Sequence, residues 1–289
     1  MSTLNDPNLF DHIARNHARH SRRDEWWSKE DNALSNSRAL LRKEMETTGG
    51  FVMGPVGFVP FSYVEMGAIT TTELLGLDEL ILFSFYWKNR KHYHHVVDMG
   101  ANIGLHSVLL GRMGLTVTCY EPDPTHAEFI LRHSETNALL NSIELRQAAV
   151  NVQEGTAEFV RVLGNTTGSH IHGAKSDAYG KLEVFEVVAF AFADAITGAD
   201  LVKMDVEGLE ANLLSTIDYE ALRSTDIVCE VGTTRNAEQI WNHFQGTAVN
   251  LFPQKINWAR AESASDLPFS YREGSLFLST KSMMPWRDN

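Results

Sequence analysis

Cysteine is scarce: Cys119 and Cys229 are the two in 289 residues, too few for a disulfide framework. Both sit inside apolar, strand-like runs ("TVTCY" and "DIVCEV"), which predicts buried thiols and suits a reducing cytosol. Basic residues are in deficit, with 25 Lys and Arg against 37 Asp and Glu and a formal net charge of −12. A field of that sign disfavours DNA, RNA and other polyanions as partners. No apolar run approaches the ~20 residues that cross a bilayer. The opening "MSTLNDPNLFDHIARNHARH" also lacks the apolar centre of a secretory signal. The expectation is a soluble, cytoplasmic chain with no membrane partner. The dinucleotide fingerprint G-x-G-x-x-G is missing as well. Counting from Gly100, Asn102 and Leu105 stand where its second and third glycines belong. Side chains there obstruct a pyrophosphate on a helix N-terminus, which disfavours a nicotinamide cofactor.

What the chain does have is alternation. From Val96 onward, strand-like runs near 96–99, 116–120, 143–149, 200–205 and 226–231 interleave with helical patterns near 103–112, 125–139, 208–217 and 236–245. This predicts parallel strands joined by helical crossovers, a doubly wound α/β sheet. "GTAEFVRV" and "EVFEVVAF" predict two further strands around a polar loop, "GNTTGSHIHGAKSDAYG". "TAVNLFP" and "GSLFLST" lie too close for a helical crossover and predict an antiparallel pair. Ahead of this, residues 8–46 read as charged helix, with Phe10, Ile13 and Ala14 as one apolar stripe and Leu34, Leu41 and Met45 as another. That pattern favours a solvated helical appendage or a homo-oligomer contact over a lid, with Trp26 and Trp27 as interface marks. "GGFVMGPVGFVPFSYVEMG" reads as a hairpin, and "TTTELLGLDELILFSFYWKNR" as a helix capped near Thr72. The expected division is an N-terminal extension, residues 1–68, ahead of a main domain of residues 69–289.

The stretch "VVDMGANIGLHS" turns a strand sharply into a helix through Asp98, Gly100, Asn102 and Gly104. In open α/β sheets, ligands bind beyond the carboxyl ends of the strands, where this turn falls. Glycines there let backbone approach a ligand, and Gly104 lets the helix start close to the sheet. The next strand ends in Glu121, whose carboxylate can accept both hydroxyls of a ribose. A ribose without a pyrophosphate fits a nucleoside carrying a sulfonium and an amino-acid tail, S-adenosylmethionine. Asp98 can balance its positive charge, and Asn102 can hydrogen-bond its methionine end.

"VVDMGANIGLHSVLL", "CYEPDP", "ETNALL", "QAAVNVQEG" and "LVKMDVEGLEANLL", in that order, resemble the FkbM family of S-adenosylmethionine-dependent methyltransferases. The likeness extends over residues ~70–280, and "KMDVEGLE" is its family-specific element. It implies a class I, seven-stranded Rossmann-like sheet with a reversed C-terminal hairpin. It also implies methyl transfer to hydroxyl oxygens of sugars or polyketide-type natural products, and it adds Pro122, Asn137 and Ala148 to the cofactor residues.

A second acidic group follows. In "ADLVKMDVEGLEANLL", Val202, Met204 and Val206 share one face of a strand, so Lys203 and Asp205 share the other. Asp205 is expected to take the proton of an acceptor hydroxyl, with Glu207 beside it. Glu210 reads as a first-turn acid serving the helix dipole. Glu230 reaches the same sheet edge from "DIVCEVG", so Asp205 and Glu230 can together hold Mg²⁺ as hard oxygen ligands. His170 and His172 share a face if their loop is extended, and His170 is the alternative base. The expected function is S-adenosylmethionine-dependent O-methylation of a small hydroxylated acceptor, a sugar or glycan precursor first and a polyketide-type product second. A nicotinamide oxidoreductase and a non-catalytic binder of the cofactor are the competing readings.

Overall fold

In the computed structural model, which describes residues 4–174 and 180–286, the first elements are helical. They are α1 (Leu9–Arg15) and α2 (Glu25–Thr48), followed by a hairpin of β1 (Gly50–Met53) and β2 (Gly57–Pro60). Then come α3 (Leu77–Asn89), β3 (His95–Met99), α4 (Leu105–Arg112), β4 (Thr116–Tyr120), α5 (Pro124–Thr136) and β5 (Ile143–Arg146). An insertion follows, made of β6 (Ala149–Asn151), β7 (Gly155–Val162), β8 (His170–Ile171) and β9 (Leu182–Ala191). The last elements are α6 (Phe192–Ala195), β10 (Leu201–Met204), α7 (Glu210–Leu214), β11 (Asp226–Glu230), α8 (Thr234–Phe244), β12 (Asn250–Pro253) and β13 (Ser275–Ser279). Residues 175–179 of the polar loop expected between β7 and β9 lie outside the described residues.

Seven strands form one sheet in the order β12-β13-β11-β10-β3-β4-β5. β13 runs against both of its neighbours, and the other pairs are parallel. This is the mostly parallel, doubly wound α/β sheet with a reversed C-terminal strand. Successive residues point to opposite faces, and both faces are apolar, so the sheet is covered on both sides. Val96, Leu201, Val228 and Phe277 enter one core, while Val97, Val202, Ile227 and Leu278 enter the other. Cys119 and Cys229 are buried free thiols, one in each core. No helix of the described residues is long and apolar enough to cross a membrane.

Three expectations need correction. The N-terminal helices are not a solvated appendage: Phe10, Ile13, Trp26, Leu34, Leu41, Met45 and Phe51 belong to the same core as Leu80, Val96 and Val117. Burying a side chain such as Phe10 or Phe51 contributes ~1.5–3 kcal/mol. α1 packs on α3, with Ser84 Oγ donating to the Phe10 carbonyl at 2.7 Å. Trp26 is buried against His20 rather than displayed at an interface. Next, the helix expected from Thr72 begins at Leu77, because extended Gly76 separates it from a single 3₁₀ turn, Glu73–Leu75. Finally, the strand expected over 143–149 is broken after Arg146. Ala148 N–H turns back to the Arg146 carbonyl, and residues 149–151 pair with β9 in a separate four-stranded sheet, β6-β9-β7-β8.

Candidate active site

Strand order reverses at β3, which has β4 on one side and β10 on the other. A crevice opens at such a switch point, beyond the carboxyl ends of the strands. The turn leaving β3 occupies it, with Gly100, Asn102 and Gly104 all at positive φ (71°, 54° and 87°). A Cβ on Gly100 would lie 1.8 Å from the Asp205 carbonyl oxygen, and one on Gly104 would lie 3.1 Å from Ile130 Cγ1 of α5. Gly104 thus lets protein pack closely against protein, as expected, while Gly100 both admits the Asp205 loop and lines the cavity.

Above the turn is a cavity of about 270 Å³. Gly100, Asn102, Glu121, Pro122 and Ala148 line it, together with His170, Asp205 and Glu207. Ile69 and Leu74 roof it beside Thr166 and Thr167. The roof is tied by main chain, Ala68 N–H to the Gly164 carbonyl (2.9 Å) and Thr166 N–H to the Met66 carbonyl (3.0 Å).

Glu121 is the acid of the β4 end. Its Oε2 accepts the Asn102 N–H at 2.7 Å and its Oε1 the Asp123 N–H at 2.9 Å. Burial pushes its carboxyl up to about 8, against the lowering effect of those two bonds. Each carboxylate oxygen keeps a second lone pair for a further donor. Asp123 caps α5 and receives the Arg161 guanidinium of β7 through Nε (2.6 Å) and Nη2 (2.7 Å). That bidentate pair fixes the small sheet as a wall of the cavity, and nothing in the local sequence around either residue announces it.

At the β10 end the geometry is ionic. Lys203 pairs in register with Asp98, and its Nζ lies 3.4 Å from Asp98 Oδ1 and 3.7 Å from Asp205 Oδ2. It also donates to the Gly100 carbonyl at 3.1 Å. Burial works against the ammonium, but Asp98, Asp205, Glu79 and Glu230 together raise its pKa above the ordinary lysine value. Asp98 is wholly buried below the cavity, with Oδ2 accepting the Ser107 hydroxyl at 2.7 Å. The expectation that it faces a bound cation is thus corrected: its charge is met by Lys203. A recess of about 40 Å³, lined by Glu79, Asn102, His106, Lys203 and Asp205, continues from the main cavity. A narrower one of about 10 Å³ reaches Glu230 and Ser275. Burial, then the charge of Asp205, pushes the Glu230 carboxyl well up.

Other expected site residues fall elsewhere. Asn137 caps α5 away from the cavity, its Nδ2 donating to the carbonyls of Pro60 (2.7 Å) and His133 (2.9 Å). It anchors the N-terminal hairpin. Gly104 does not line the cavity. The Mg²⁺ site expected at Asp205 and Glu230 is corrected by Lys203, whose ammonium is the cation these carboxylates face. Among the described residues no group of three or more His, Cys, Asp or Glu is arranged to hold a metal ion. His170 is buried on the cavity wall, its Nδ1 donating to the Gly168 carbonyl at 3.0 Å, whereas His172 is exposed. Glu210 accepts the N–H groups of Val206 (3.1 Å) and Gly208 (3.0 Å). Its role is to hold the turn in which Glu207 and Gly208 take positive φ (56° and 112°). Burial pushes its carboxyl up to about 7.

Of the buried acceptors with no hydrogen-bond partner among the described residues, Asn102 Oδ1 and Asp205 Oδ1 belong to residues that line the cavity and its recess, whereas Asp98 Oδ1 lies below it with the Lys203 ammonium at 3.4 Å. Buried polar atoms are normally satisfied, so the first two await donors.

The curated proteins contain no match to the sequence. Among solved structures, similarity is found to "StiE O-MT residues 942-1257" at 20% identity and a TM-score of 0.37, covering 62% of this chain and 53% of that one. The chain thus spans about half of that relative's length. A methyltransferase from Geobacter sulfurreducens is 14% identical with a TM-score of 0.38, over 67% of this chain and 75% of that one. The human methyltransferase 10 domain containing protein is 12% identical with a TM-score of 0.42, over 86% and 98%. The family model for the methyltransferase FkbM domain matches residues 98–258. That match begins at the first residue of the glycine turn, runs past the Asp205 loop and takes in more than half of the chain, which therefore belongs to the FkbM methyltransferase family.

Proposed function

We propose that this methyltransferase uses S-adenosylmethionine to methylate a hydroxyl oxygen of a small acceptor, a sugar or glycan precursor in the first instance. The observation that carries the reading is Glu121. It is a buried carboxylate held by two backbone N–H groups at the end of β4, with spare acceptor capacity on the cavity wall. A ribose supplies two hydroxyl donors to it, at ~1.5–3 kcal/mol for each charge-assisted bond. Tyr120, Pro122, Ala148 and Val150 give a mostly apolar slot for an adenine beside it. The unpartnered Asn102 Oδ1 and the anionic β10 end fit a tail that carries positive charge and N–H donors.

When bound, the cofactor supplies an activated methyl group. The chain has to align the acceptor hydroxyl and take its proton, and alignment can supply ~7–11 kcal/mol of the barrier. In this reading Asp205 Oδ1 accepts that proton as the oxygen gains the methyl. Its support is its unpartnered state at the junction of cavity and recesses, while Oδ2 is turned to Lys203. Glu207 and His170 are the other wall residues able to bind or deprotonate a hydroxyl. A wall rich in acceptors suits an acceptor molecule rich in hydroxyl donors, hence the sugar.

The test is calorimetric titration with S-adenosylhomocysteine, with NADH as control. Micromolar binding of the first alone is expected, weakened about 100-fold or more in Glu121→Ala. Binding of NADH alone, or affinity indifferent to Glu121→Ala, overturns the reading. Screening hydroxylated acceptors with labelled cofactor then tests the substrate. EDTA is expected to leave that turnover unchanged, because Lys203 already supplies the cation at Asp205.

A further inference from the structure

The recess at the β10 end contains a three-residue chain that the proposed reaction does not use. Tyr86 Oη lies 3.2 Å from His106 Nδ1, and His106 Nε2 lies 2.7 Å from Glu79 Oε2. Tyr86 and His106 are buried, whereas the Glu79 side chain is 30% exposed, in the recess. With the phenol donating to Nδ1, the imidazole directs Nε2–H at Glu79 and sets the rotamer of its carboxylate. The cavity and the recess share Leu74, Gly100, Asn102 and Asp205, so they form one continuous space. A nucleoside with its ribose on Glu121 therefore sends its 5′ substituent past Asn102 toward Glu79.

The acids there differ in what they face. Asp98 is taken by Lys203 and Ser107. Asp205 has Lys203 at 3.7 Å. Glu79 has an imidazole, not an ammonium or guanidinium, as its nearest partner. Its carboxyl is nonetheless held below the usual range: burial opposes ionisation, but His106 and Lys203 outweigh it.

We propose that Glu79, positioned by His106 and Tyr86, binds the α-ammonium group of the cofactor's amino-acid end, the task expected from sequence of Asp98. The proposal rests on the cofactor reading above. Glu79 is then the residue through which this site distinguishes a nucleoside bearing an amino acid from one without it, and His106 and Tyr86 are positioning residues.

Two probes separate the possibilities: S-adenosylhomocysteine, which has the amino-acid end, and 5′-methylthioadenosine, which lacks it. Glu79→Gln is expected to weaken binding of the first about tenfold or more and to leave the second within twofold. Tyr86→Phe is expected to weaken the first about two- to fivefold, again sparing the second. A purely structural role would move both probes together. Should Glu79→Gln fail to fold, Glu79→Asp retracts the same charge by one methylene and is expected to give the same split. Equal effects on both probes, or none on either, overturn the assignment of Glu79 while the cofactor reading stands. Failure of the unmodified protein to bind either probe overturns both.

Discussion

At the β4 end of the cavity a single carboxylate, Glu121, is held by two backbone N–H groups, whereas at the β10 end four carboxylates surround one ammonium, Lys203. The two ends satisfy buried charge by different means. Backbone donors at Glu121 depend on the shape of the turn after β3, including Asn102 at φ 54°, and supply partial charges only. Burial is therefore incompletely compensated there, and the carboxyl stays far above its ordinary value. Lys203 brings a full charge, and removing it would leave buried Asp98 without a counter-ion. The Glu121 end is thus left with acceptor capacity that a ligand could use, while the Lys203 end is neutralised largely by the protein itself.

The sharpest way to break this comparison is Lys203→Met. Loss of one partner from a buried ion pair costs about 3–5 kcal/mol, because the other is left unpaired. Denaturant unfolding should show a loss of that size, and Asp98→Asn added to Lys203→Met should recover much of it. A loss under about 1 kcal/mol would mean that the cluster is wet and that Lys203 does not hold the β10 end together.

The next effect is a pH dependence at the other end. Only the ionised Glu121 can accept two backbone N–H groups and two hydroxyls, and its carboxyl titrates at about 8 without ligand. Below that pH, binding must expel a proton. Affinity for S-adenosylhomocysteine should therefore fall about tenfold per unit as pH drops from 8 to 6, and level off above 8. Calorimetry in buffers of different ionisation enthalpy should show release of about one proton at pH 7. His126, whose Nδ1 is 3.9 Å from Glu121, is held below the ordinary histidine value by burial and does not supply the titration in that window. The same shift makes the ligand-free chain less stable as pH rises from the unfolded carboxyl range to about 8, since the folded state holds the proton longer. A flat affinity profile would show that Glu121 is already ionised in the empty cavity.

Much of this molecule is legible in its sequence, for identifiable reasons. The sheet is, because strands buried on both faces and helices of 3.6 periodicity write different patterns. Glu121, Asn102 and Asp205 are, because residues at strand ends beside a switch point have few places to go. Glu79, His106 and Tyr86 are not, since their geometry requires α3 and α4 to pack, which no local spacing encodes. The Arg161–Asp123 pair joins residues 38 positions apart, one in β7 of the small sheet and one capping α5. The Phe10 and Ile13 stripe shows that a helix buries a face but not which face it meets, hence the mistaken appendage. Lys203 is visible beside Asp205 in the strand pattern, yet its pairing with Asp98 needs the register of β10 against β3. Motif membership likewise fails to give direction: Asn137 lies in a matching stretch but turns away from the cavity.

Asn137 supplies the smallest test, and one that bears on both ends by touching neither. Its Nδ2 bridges the Pro60 carbonyl of β2 and the His133 carbonyl of α5, so it fastens the N-terminal hairpin to the helix behind the Glu121 turn. Asn137→Ala removes these bonds at a cost of about 1 kcal/mol. That should lower the Tm by about 2–4 °C. Affinity for S-adenosylhomocysteine should stay within about twofold, because α5 is still capped by Asp123 at its other end, where Glu121 accepts the Asp123 N–H. The opposite pattern, about tenfold weaker binding at unchanged Tm, would return Asn137 to the cofactor site. It would also mean that the hairpin reaches the ligand through the helix rather than merely covering it.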